Sequence, residues 1–301
     1  MKEFINIKSI SEMHKLLGLG KPRHPAISLV QSKDVDWTLD LYDKNYIWDF
    51  YMIGFKYHDS SFLYGRKYYD FEEGTMVFTS PGQVIKSTNP PTKGFDEGWT
   101  LYFHPDFIQQ SELGKKIKKY SFFSYASNEA LHLSENEKTK ISQCVNEIEQ
   151  EYSQNIDTHS QTLIISNLEL LLNYCNRFYD RQFYTRSNNQ QDIVVKIEEF
   201  LTNYYNSEQA RQNGIPTVKL CAEKVNLSQN YLSDLLKKET GKNTQEQIHF
   251  HLIEKAKNML LNSNATVSEI AYDLGFDYPQ YFGNLFKSKT GVSPNKYRTI
   301  N

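Results

Sequence analysis

The chain has 301 residues, of which 23% are charged and 39% hydrophobic, and its formal net charge at pH 7 is -2. This length predicts two domains, and the composition is that of an ordinary globular protein. Wholesale disorder, collagen-like and coiled-coil architectures are excluded, as is a strongly basic protein of the histone or ribosomal kind.

The N-terminal segment has no apolar stretch of signal-peptide length, and no window approaches the ~20 apolar residues of a membrane span. We therefore expect a cytoplasmic protein without a membrane segment. The three cysteines, Cys144, Cys175 and Cys221, have neither the spacing of a disulfide framework nor that of a metal site. We expect each of them to be a buried thiol.

Residues 26–104 are predicted to be rich in β-strands. Short runs of aromatic and β-branched residues alternate with turn residues about every ten positions, which is typical of a small sandwich or barrel. The runs are AISLVQS, WTLDLYD, YIWDFYMIGFKYH, SFLYG, TMVFTSPGQ and GWTLYFH.

Helical periodicity begins at Ser134, which forms a capping box with Glu137. After this first helix, a second helix over 158–183 carries a wide apolar stripe. The stripe residues are Ile164, Leu168, Leu171, Leu172, Cys175, Phe178 and Tyr179. Packing on the β domain or self-association would bury the stripe, and both remain open. The polar segment 184–191 is the predicted linker, and the pattern after it is helical.

An internal repeat is the strongest signal in the sequence. Residues 217–227 match residues 266–276, and the match resumes one residue later, from Tyr231 and Tyr281 to Gly241 and Gly291. The second copy therefore carries one extra residue in its turn. Agreement at so many positions indicates a duplicated structural unit.

Each copy predicts a short helix, a tight turn and a longer helix that ends at glycine. Asn226 or Gly275 suits a left-handed turn, and Ser228 or Asp277 can cap the second helix. This is the helix-turn-helix arrangement, whose second helix enters a DNA major groove. Residues 243–262 predict a helical rod of ~30 Å between the copies, close to the ~34 Å between successive major grooves.

The second copy also carries a family signature. Its positions are Ala271, Gly275–Phe276, Tyr281–Phe282, Phe286–Lys287, Gly291, Ser293–Pro294 and Tyr297–Arg298. Together they resemble the signature of AraC/XylS-type transcription regulators, and the resemblance covers about 192–301. The first copy departs from it at Leu236 and Cys221, where phenylalanine and leucine are usual. The resemblance implies a transcription regulator that binds promoter DNA sequence-specifically, with RNA polymerase as a further partner.

Periodicity and alignment with this family assign the residues that contact bases. The residues predicted to point inward are Tyr231, Leu232 and Leu235 in the first copy, and Tyr281, Phe282, Leu285 and Phe286 in the second. The predicted base contacts are Asn230, Ser233, Asp234, Gln280 and Asn284. Asparagine and glutamine can bind adenine, and aspartate can accept from cytosine.

The family often has arginine where this chain has Asp234 and Asn284. Arginine is the residue that usually recognises guanine. We therefore expect base recognition to be weaker, to favour A·T pairs and to come mainly from the second copy. A surface salt bridge with Lys237 or Lys238 is the open alternative for Asp234.

Phosphate contacts are assigned to Lys237, Lys238, Lys287 and Lys289, which follow the two predicted recognition helices. Residues 215–301 carry eleven lysines and arginines against eight acidic residues. This small excess indicates limited affinity per monomer and hence a benefit from dimerisation.

Residues 70–87 resemble the cupin-like sensor barrel that often accompanies this DNA-binding domain, through Gly74, Val77–Phe78 and Pro81–Gly82. The histidine pair, glutamate and later histidine of metal-dependent cupins are missing, since His58 stands alone. No catalytic motif is found. We therefore expect no metal, no cofactor and no enzyme activity, and instead a small organic effector in an aromatic-lined interior. The candidate lining residues, for each of which core packing is the alternative, are Trp37, Tyr46, Trp48, Tyr51, Phe55 and Trp99.

The sequence thus predicts an α+β protein that forms a homodimer through the helix at 160–183. Its domains are a cupin-like β-barrel sensor domain (1–133), a helical connector and dimerisation pair (134–183), a linker (184–191), and an all-α DNA-binding domain (192–301) with two helix-turn-helix motifs joined by a linker helix. The alternative is a metal-free cupin that binds a small molecule, or an enzyme, with a helical appendage. An architectural DNA binder without an effector is a third interpretation.

Overall fold

The computed structural model describes residues 4–41, 44–56, 74–86, 98–126, 129–154, 157, 159–185 and 187–300. The chain divides into two compact units, Met1–Thr185 and Arg186–Asn301, which we call the N-terminal unit and the C-terminal unit. The predicted linker, 184–191, contains the end of one helix and the start of the next, on either side of Arg186. The proposed domain limits remain predictions.

The N-terminal unit is a mixed α+β structure. Its strands are β1 (Phe4–Ile7), β2 (Ile27–Gln31), β3 (Asn45–Trp48), β4 (Tyr51–Lys56), β5 (Thr75–Thr79), β6 (Val84–Lys86), β7 (Gly98–Phe103) and β8 (Leu131–His132). One sheet has the order β1-β3-β6, and a second sheet has the order β2-β7-β4-β5-β8. Neighbouring strands are antiparallel, except that β1 and β3 are parallel.

The predicted cupin-like barrel is not confirmed. In the described ranges the strands divide between two sheets, and these do not close into one barrel. The local signals behind the prediction do occur, since Gly74 leads into β5 and Pro81–Gly82 forms a turn. Such signals set single strands and hairpins, whereas barrel closure depends on pairing between strands that are distant in sequence.

The run WTLDLYD was predicted as a strand, and this prediction is wrong over residues 37–41, of which 37–40 are turn and bend and residue 41 has no regular structure. The Asp36 carboxylate accepts hydrogen bonds from the backbone nitrogen of Thr38 at 3.0 Å and from its hydroxyl at 2.6 Å. This local turn competes with strand pairing. The run SFLYG lies outside the described residues, and β1 is a strand that the sequence analysis missed.

Aromatic side chains fill much of the core of the N-terminal unit. Trp48 is the centre of one cluster, with ring centroids 5.5–6.2 Å from those of Phe50, Tyr46 and Tyr102. Phe55 stacks on Trp99 at 5.7 Å. Four of the six candidate effector-lining residues are therefore buried in core ring contacts, which is the alternative that the sequence left open.

The helices of the N-terminal unit are α1 (Ile10–Leu16), α2 (Pro105–Ile108), α3 (Glu112–Lys116), α4 (Glu135–Ser153) and α5 (Ser160–Thr185), with short 3₁₀ helices at Ser32–Asp34, Ile117–Lys119 and Ser121–Ser124. The predicted capping box starts α4, because the backbone nitrogen of Ser134 donates to the carboxylate of Glu137 at 2.9 Å. Helices α4 and α5 pack against each other.

The wide apolar stripe of α5 is buried within the N-terminal unit. All seven stripe residues are buried, and the sulfur of Cys175 lies 3.9 Å from the sulfur of Met76 on β5. Packing inside the unit accounts for the stripe, so its width no longer argues for self-association. Leu163 and Leu170 are the large apolar side chains that the described part of α5 leaves exposed.

The C-terminal unit is all-helical in its described residues. Its helices are α6 (Ser187–Asn206), α7 (Gln209–Asn213), α8 (Val218–Val225), α9 (Gln229–Thr240), α10 (Thr244–Asn262), α11 (Val267–Asp273), α12 (Pro279–Thr290) and α13 (Pro294–Ile300). The long helix α10 contributes Leu252, Ala256 and Leu260 to a core that also holds Phe282 and Phe286 of α12.

All three cysteines of the chain are buried free thiols, as predicted. Burial raises the pKa of Cys221 to about 11, because the surrounding apolar atoms disfavour the thiolate. Within the described ranges, we find no helix with the combination of length and apolarity needed to cross a membrane.

Candidate nucleic-acid interface

The two copies of the repeat fold into two helix-turn-helix motifs, α8–α9 and α11–α12. Both first helices end in the same way. The backbone nitrogen of Leu227 donates to the carbonyl of Ala222 at 3.1 Å, and that of Phe276 donates to the carbonyl of Ala271 at 3.0 Å. Both alanines are buried.

The predicted left-handed residues occupy the two turns and the two helix ends. Asn226 has a φ of 55° and Gly275 a φ of 89°. Gly241 and Gly291 terminate α9 and α12 with φ values of 76° and 81°, the usual conformation of a glycine that follows a helix.

The start of the second helix differs between the copies. The Ser228 hydroxyl caps α9 by accepting from the backbone nitrogen of Tyr231 at 3.2 Å. Asp277 does not cap α12, contrary to the prediction. Because this turn has an extra residue, Tyr278 is the residue that immediately precedes α12. Pro279 begins the helix, which has no side-chain cap.

Helix α9 exposes Asn230, Lys237 and Lys238 and leaves Ser233 and Asp234 half-buried. Its inward residues Tyr231, Leu232 and Leu235 are buried, as the periodicity predicts. The Ser233 hydroxyl donates to the hydroxyl of the buried Thr244 on α10 at 3.0 Å. Ser233 therefore already has a partner within the unit, which weakens its assignment as a base contact.

Helix α12 exposes Gln280 and Asn284. Phe282 and Phe286 are fully buried, and Leu285 is half-buried. The prediction for Tyr281 is wrong, because its side chain is 63% exposed. Periodicity did not identify this residue, since its partner in the repeat, Tyr231, is buried.

The two second helices differ in charge. Helix α9 contains Asp234 and Glu239 beside its two lysines, whereas α12 has no acidic residue. Lys287 and Lys289 of α12 are exposed. Burial and the positive charge of Lys289 lower the pKa of His249 on α10, so the field of this lysine reaches the linker helix. The second motif presents the more favourable surface to a polyanion.

Helix α10 begins directly after α9 and is fixed to its end. The side-chain nitrogen of the buried Gln247 donates to the hydroxyl of Thr240 at 2.7 Å, and that hydroxyl donates to the carbonyl of Leu236 at 2.7 Å. These bonds, together with the contact between Ser233 and Thr244, orient α9 on α10.

No group of three histidine, cysteine or acidic side chains in the described residues could hold a metal ion. Two histidines of the N-terminal unit, His14 and His104, have structural partners. The ring of His14 bonds the carbonyl of Gly20 at 2.7 Å and the hydroxyl of Ser28 at 2.8 Å, and His104 caps α2. His58 lies outside the described residues.

A family of helix-turn-helix domains matches residues 221–300 of the chain. The uncharacterized HTH-type transcriptional regulator YijO of Escherichia coli strain K12 is 30% identical over 128 residues, which are 42% of each chain. The xylose operon regulatory protein of the same strain is 31% identical over 77 residues, 26% of this chain and 20% of the relative. The chain thus spans less than half the length of these relatives.

The C-terminal domain of the response regulator AraT from Geobacillus stearothermophilus is a solved structure with 31% identity, a TM-score of 0.32, and coverage of 36% of this chain and 85% of that one. The family match contains the whole of the signature at 270–298. The C-terminal unit contains an AraC-type helix-turn-helix domain.

Most signature positions of the AraC-type domain serve its fold. Ala271, Phe276, Phe282 and Phe286 are buried, and the ring of Tyr297 meets that of Phe286 edge to face at 5.4 Å. The exposed side chains that the signature contributes to α12 are those of Tyr281 and Lys287.

Arg298, the last signature residue, ties two parts of the AraC-type domain together. Its Nε donates to the carbonyl of Leu260 at 3.0 Å, and its Nη2 donates to the carbonyl of Ala265 at 2.6 Å. The guanidinium thus joins the end of α10 to the segment that leads into α11. This cation belongs to the fold, and a count of positive charges overstates what is available to phosphates.

Proposed function

We propose that this chain is a sequence-specific DNA-binding regulator of transcription, which inserts α9 and α12 into successive major grooves of promoter DNA. The observation that carries the proposal is the outer face of α12. Gln280 and Asn284 lie one helical turn apart, Lys287 and Lys289 follow them, and no acidic residue interrupts the helix.

The linker helix supports binding to one side of the duplex. Helix α10 has 19 residues, and at ~1.5 Å per residue it is about 28 Å long. Successive major-groove faces are ~34 Å apart, so a rigid helix of this length suits two recognition helices in neighbouring grooves.

The expected base preference follows from the exposed side chains. The amides of Gln280 and Asn284 can each bind adenine with two hydrogen bonds. The half-buried Asp234 brings a negative charge to the first motif, which is unfavourable near phosphates. We therefore expect the protein to prefer sites with A·T pairs, and we expect most of this preference to come from the second motif.

Selection of binding sites from random duplexes with the full chain tests the proposal. We expect an enriched site with A·T pairs in one half and a footprint of two patches about one helical turn apart on one side of the DNA. A G-rich consensus would refute the expected base preference. No enrichment over scrambled DNA at moderate ionic strength, even for the dimerised protein, would refute the function itself.

Asn284→Ala should relax the base preference at one position of the selected site. The lost discrimination should be ~1–3 kcal/mol, the range for a bidentate base contact. Binding constants for the selected site and its single-base variants measure it. Equal weakening on every sequence would remove Asn284 from the readout.

Lys287→Ala should weaken binding to all sequences alike, because a phosphate contact carries no base information. The slope of log K against log salt should become shallower by ~0.9. Lys296→Ala, which changes another exposed lysine of the same domain, is the matched control. An unchanged slope would mean that Lys287 only complements the dipole of α12 at its C-terminal end.

The proposal extends to the rest of the chain. A β-containing unit of this size exceeds the needs of a simple DNA clamp, which supports a small organic effector that shifts the DNA-competent population. Leu163 and Leu170 are exposed on α5. They offer a homodimer an apolar surface, although a smaller one than the whole stripe of α5 would have offered. We also propose that the β region has a barrel-like arrangement and that the protein acts in the cytoplasm. We propose further that it contacts RNA polymerase and has no enzyme activity.

A further inference from the structure

Two tyrosines at the start of α12 leave most of their surface exposed. Tyr278 precedes the helix and Tyr281 lies in its first turn, and each is 63% exposed. Their rings meet edge to face, with centroids 5.8 Å apart. Tyr231, which corresponds to Tyr281 in the first motif, is 6% exposed. The same repeat position serves the core in one copy and the surface in the other.

The surroundings of the two motifs account for this difference. Helix α6 packs against both α8 and α9, whereas α12 packs on α11 and α13. The second helices of the two motifs therefore have different helices beside them, α6 in the first motif and α13 in the second, and the core of the second motif contains Phe276, Phe282 and Phe286. Two neighbouring rings left in water contribute little to folding, and such an aromatic patch indicates a binding surface.

The groups around the two rings indicate the chemistry of the partner. Gln280 lies between the two tyrosines in sequence, and Asn284 is the i+3 neighbour of Tyr281 on the helix surface. Lys287 and Lys289 follow on the same helix without an acidic residue. Exposed cations, amides and rings on this one helix suit the major groove, where the N-terminal residues of a recognition helix contact base edges.

Only one base presents an apolar group in the major groove, and that is thymine with its 5-methyl group. We propose that Tyr281 contacts the 5-methyl group of a thymine in the half-site of the second motif, and that Tyr278 holds the Tyr281 ring in place. This inference rests on the proposed function and adds a residue that recognises thymine to the amides that recognise adenine.

The test removes the methyl group without changing base pairing. In the site selected with the full chain, each thymine is replaced in turn by deoxyuridine, and binding constants are measured at one salt concentration. We expect about a fourfold loss at one position, the worth of one apolar carbon group removed from water. Tyr281→Ala should bind the thymine and deoxyuridine duplexes equally, whereas Tyr281→Phe should retain the difference.

Tyr272→Ala is the matched control, because Tyr272 is another exposed tyrosine of the second motif and should leave the methyl effect intact. Circular dichroism of each variant reports whether the domain is folded. A selected site without any position sensitive to the methyl group, or a sensitivity that survives Tyr281→Ala, overturns the inference and leaves the proposed function standing. Failure to select any site overturns the proposed function, and the inference falls with it.

Discussion

Replacing Gly275 with alanine is expected to destabilise the C-terminal unit by at least ~3 kcal/mol, which combines an unfavourable backbone conformation with overpacking. Gly275 has a φ of 89°. An added Cβ would lie 2.6 Å from the carbonyl oxygen of Ala210, 2.6 Å from the carbonyl carbon of Gly214 and 2.8 Å from the nitrogen of Ile215. All three are backbone atoms, so no side chain can rotate away to make room.

Two other glycines separate the contributions of conformation and space. Gly241 has a φ of 76° with nothing within 4 Å of an added Cβ, so Gly241→Ala should cost ~1–2 kcal/mol from conformation alone. Gly283 lies inside α12 with equally open space, and Gly283→Ala should stabilise by ~0.5–1 kcal/mol.

Denaturant unfolding followed by circular dichroism at the helical wavelength measures these changes. All three tryptophans of the chain, Trp37, Trp48 and Trp99, lie in the N-terminal unit. Tryptophan fluorescence therefore reports that unit separately and should not shift. If Gly275→Ala lowers the free energy of unfolding no more than Gly241→Ala does, the backbone of Ala210, Gly214 and Ile215 does not approach Gly275 as closely as in the structure.

Replacing Arg298 with methionine is expected to lower the free energy of unfolding of the C-terminal unit by ~3 kcal/mol. The variant loses two hydrogen bonds from a charged donor, each worth ~1.5–3 kcal/mol, partly offset where water can reach the freed carbonyls of Leu260 and Ala265. The same denaturant experiment measures the effect. We expect the second motif to loosen first, because the lost bonds join α10 to the segment before α11.

Arg298→Lys distinguishes this structural role from a phosphate contact. A lysine keeps the charge but lacks the planar guanidinium that reaches two carbonyls at once, so it should be nearly as unstable as Arg298→Met. Lys296→Met, which removes an exposed cation from the same helix, should have little effect on stability. Full rescue by lysine would show that the charge of Arg298, rather than its two hydrogen bonds, matters.

The sequence predicted the C-terminal unit well because the relevant signals are local. Asn226, Ser228 and Gly241 act through their own backbone geometry or through hydrogen bonds to residues within one turn, and the repeat doubles each signal. The turn of the second copy has one extra residue, and there the prediction from local sequence failed, because Asp277 does not cap α12. The base and phosphate contacts remain predictions, although Asn230, Gln280, Asn284 and the four lysines are exposed.

The N-terminal unit was less predictable, because a strand sequence does not specify its partner. The run around β5 and the Pro81–Gly82 turn were recognised, but the arrangement in two sheets depends on pairings such as that of β1 with β3. An apolar stripe likewise does not specify what covers it. The stripe of α5 suited a dimer interface as well as a core, and burial within the unit accounts for it.

The amino-acid sequence alone determined that this chain carries two helix-turn-helix motifs joined by a helix of 19 residues, since helix caps, turn residues and helical periodicity act over a few positions. Only the tertiary structure decided which residues those motifs expose. Tyr231 is buried, its counterpart Tyr281 is not, and Arg298 bonds two carbonyls of its own domain. The physical reason is that exposure depends on the elements that pack nearby, and these come from parts of the chain that no local pattern relates.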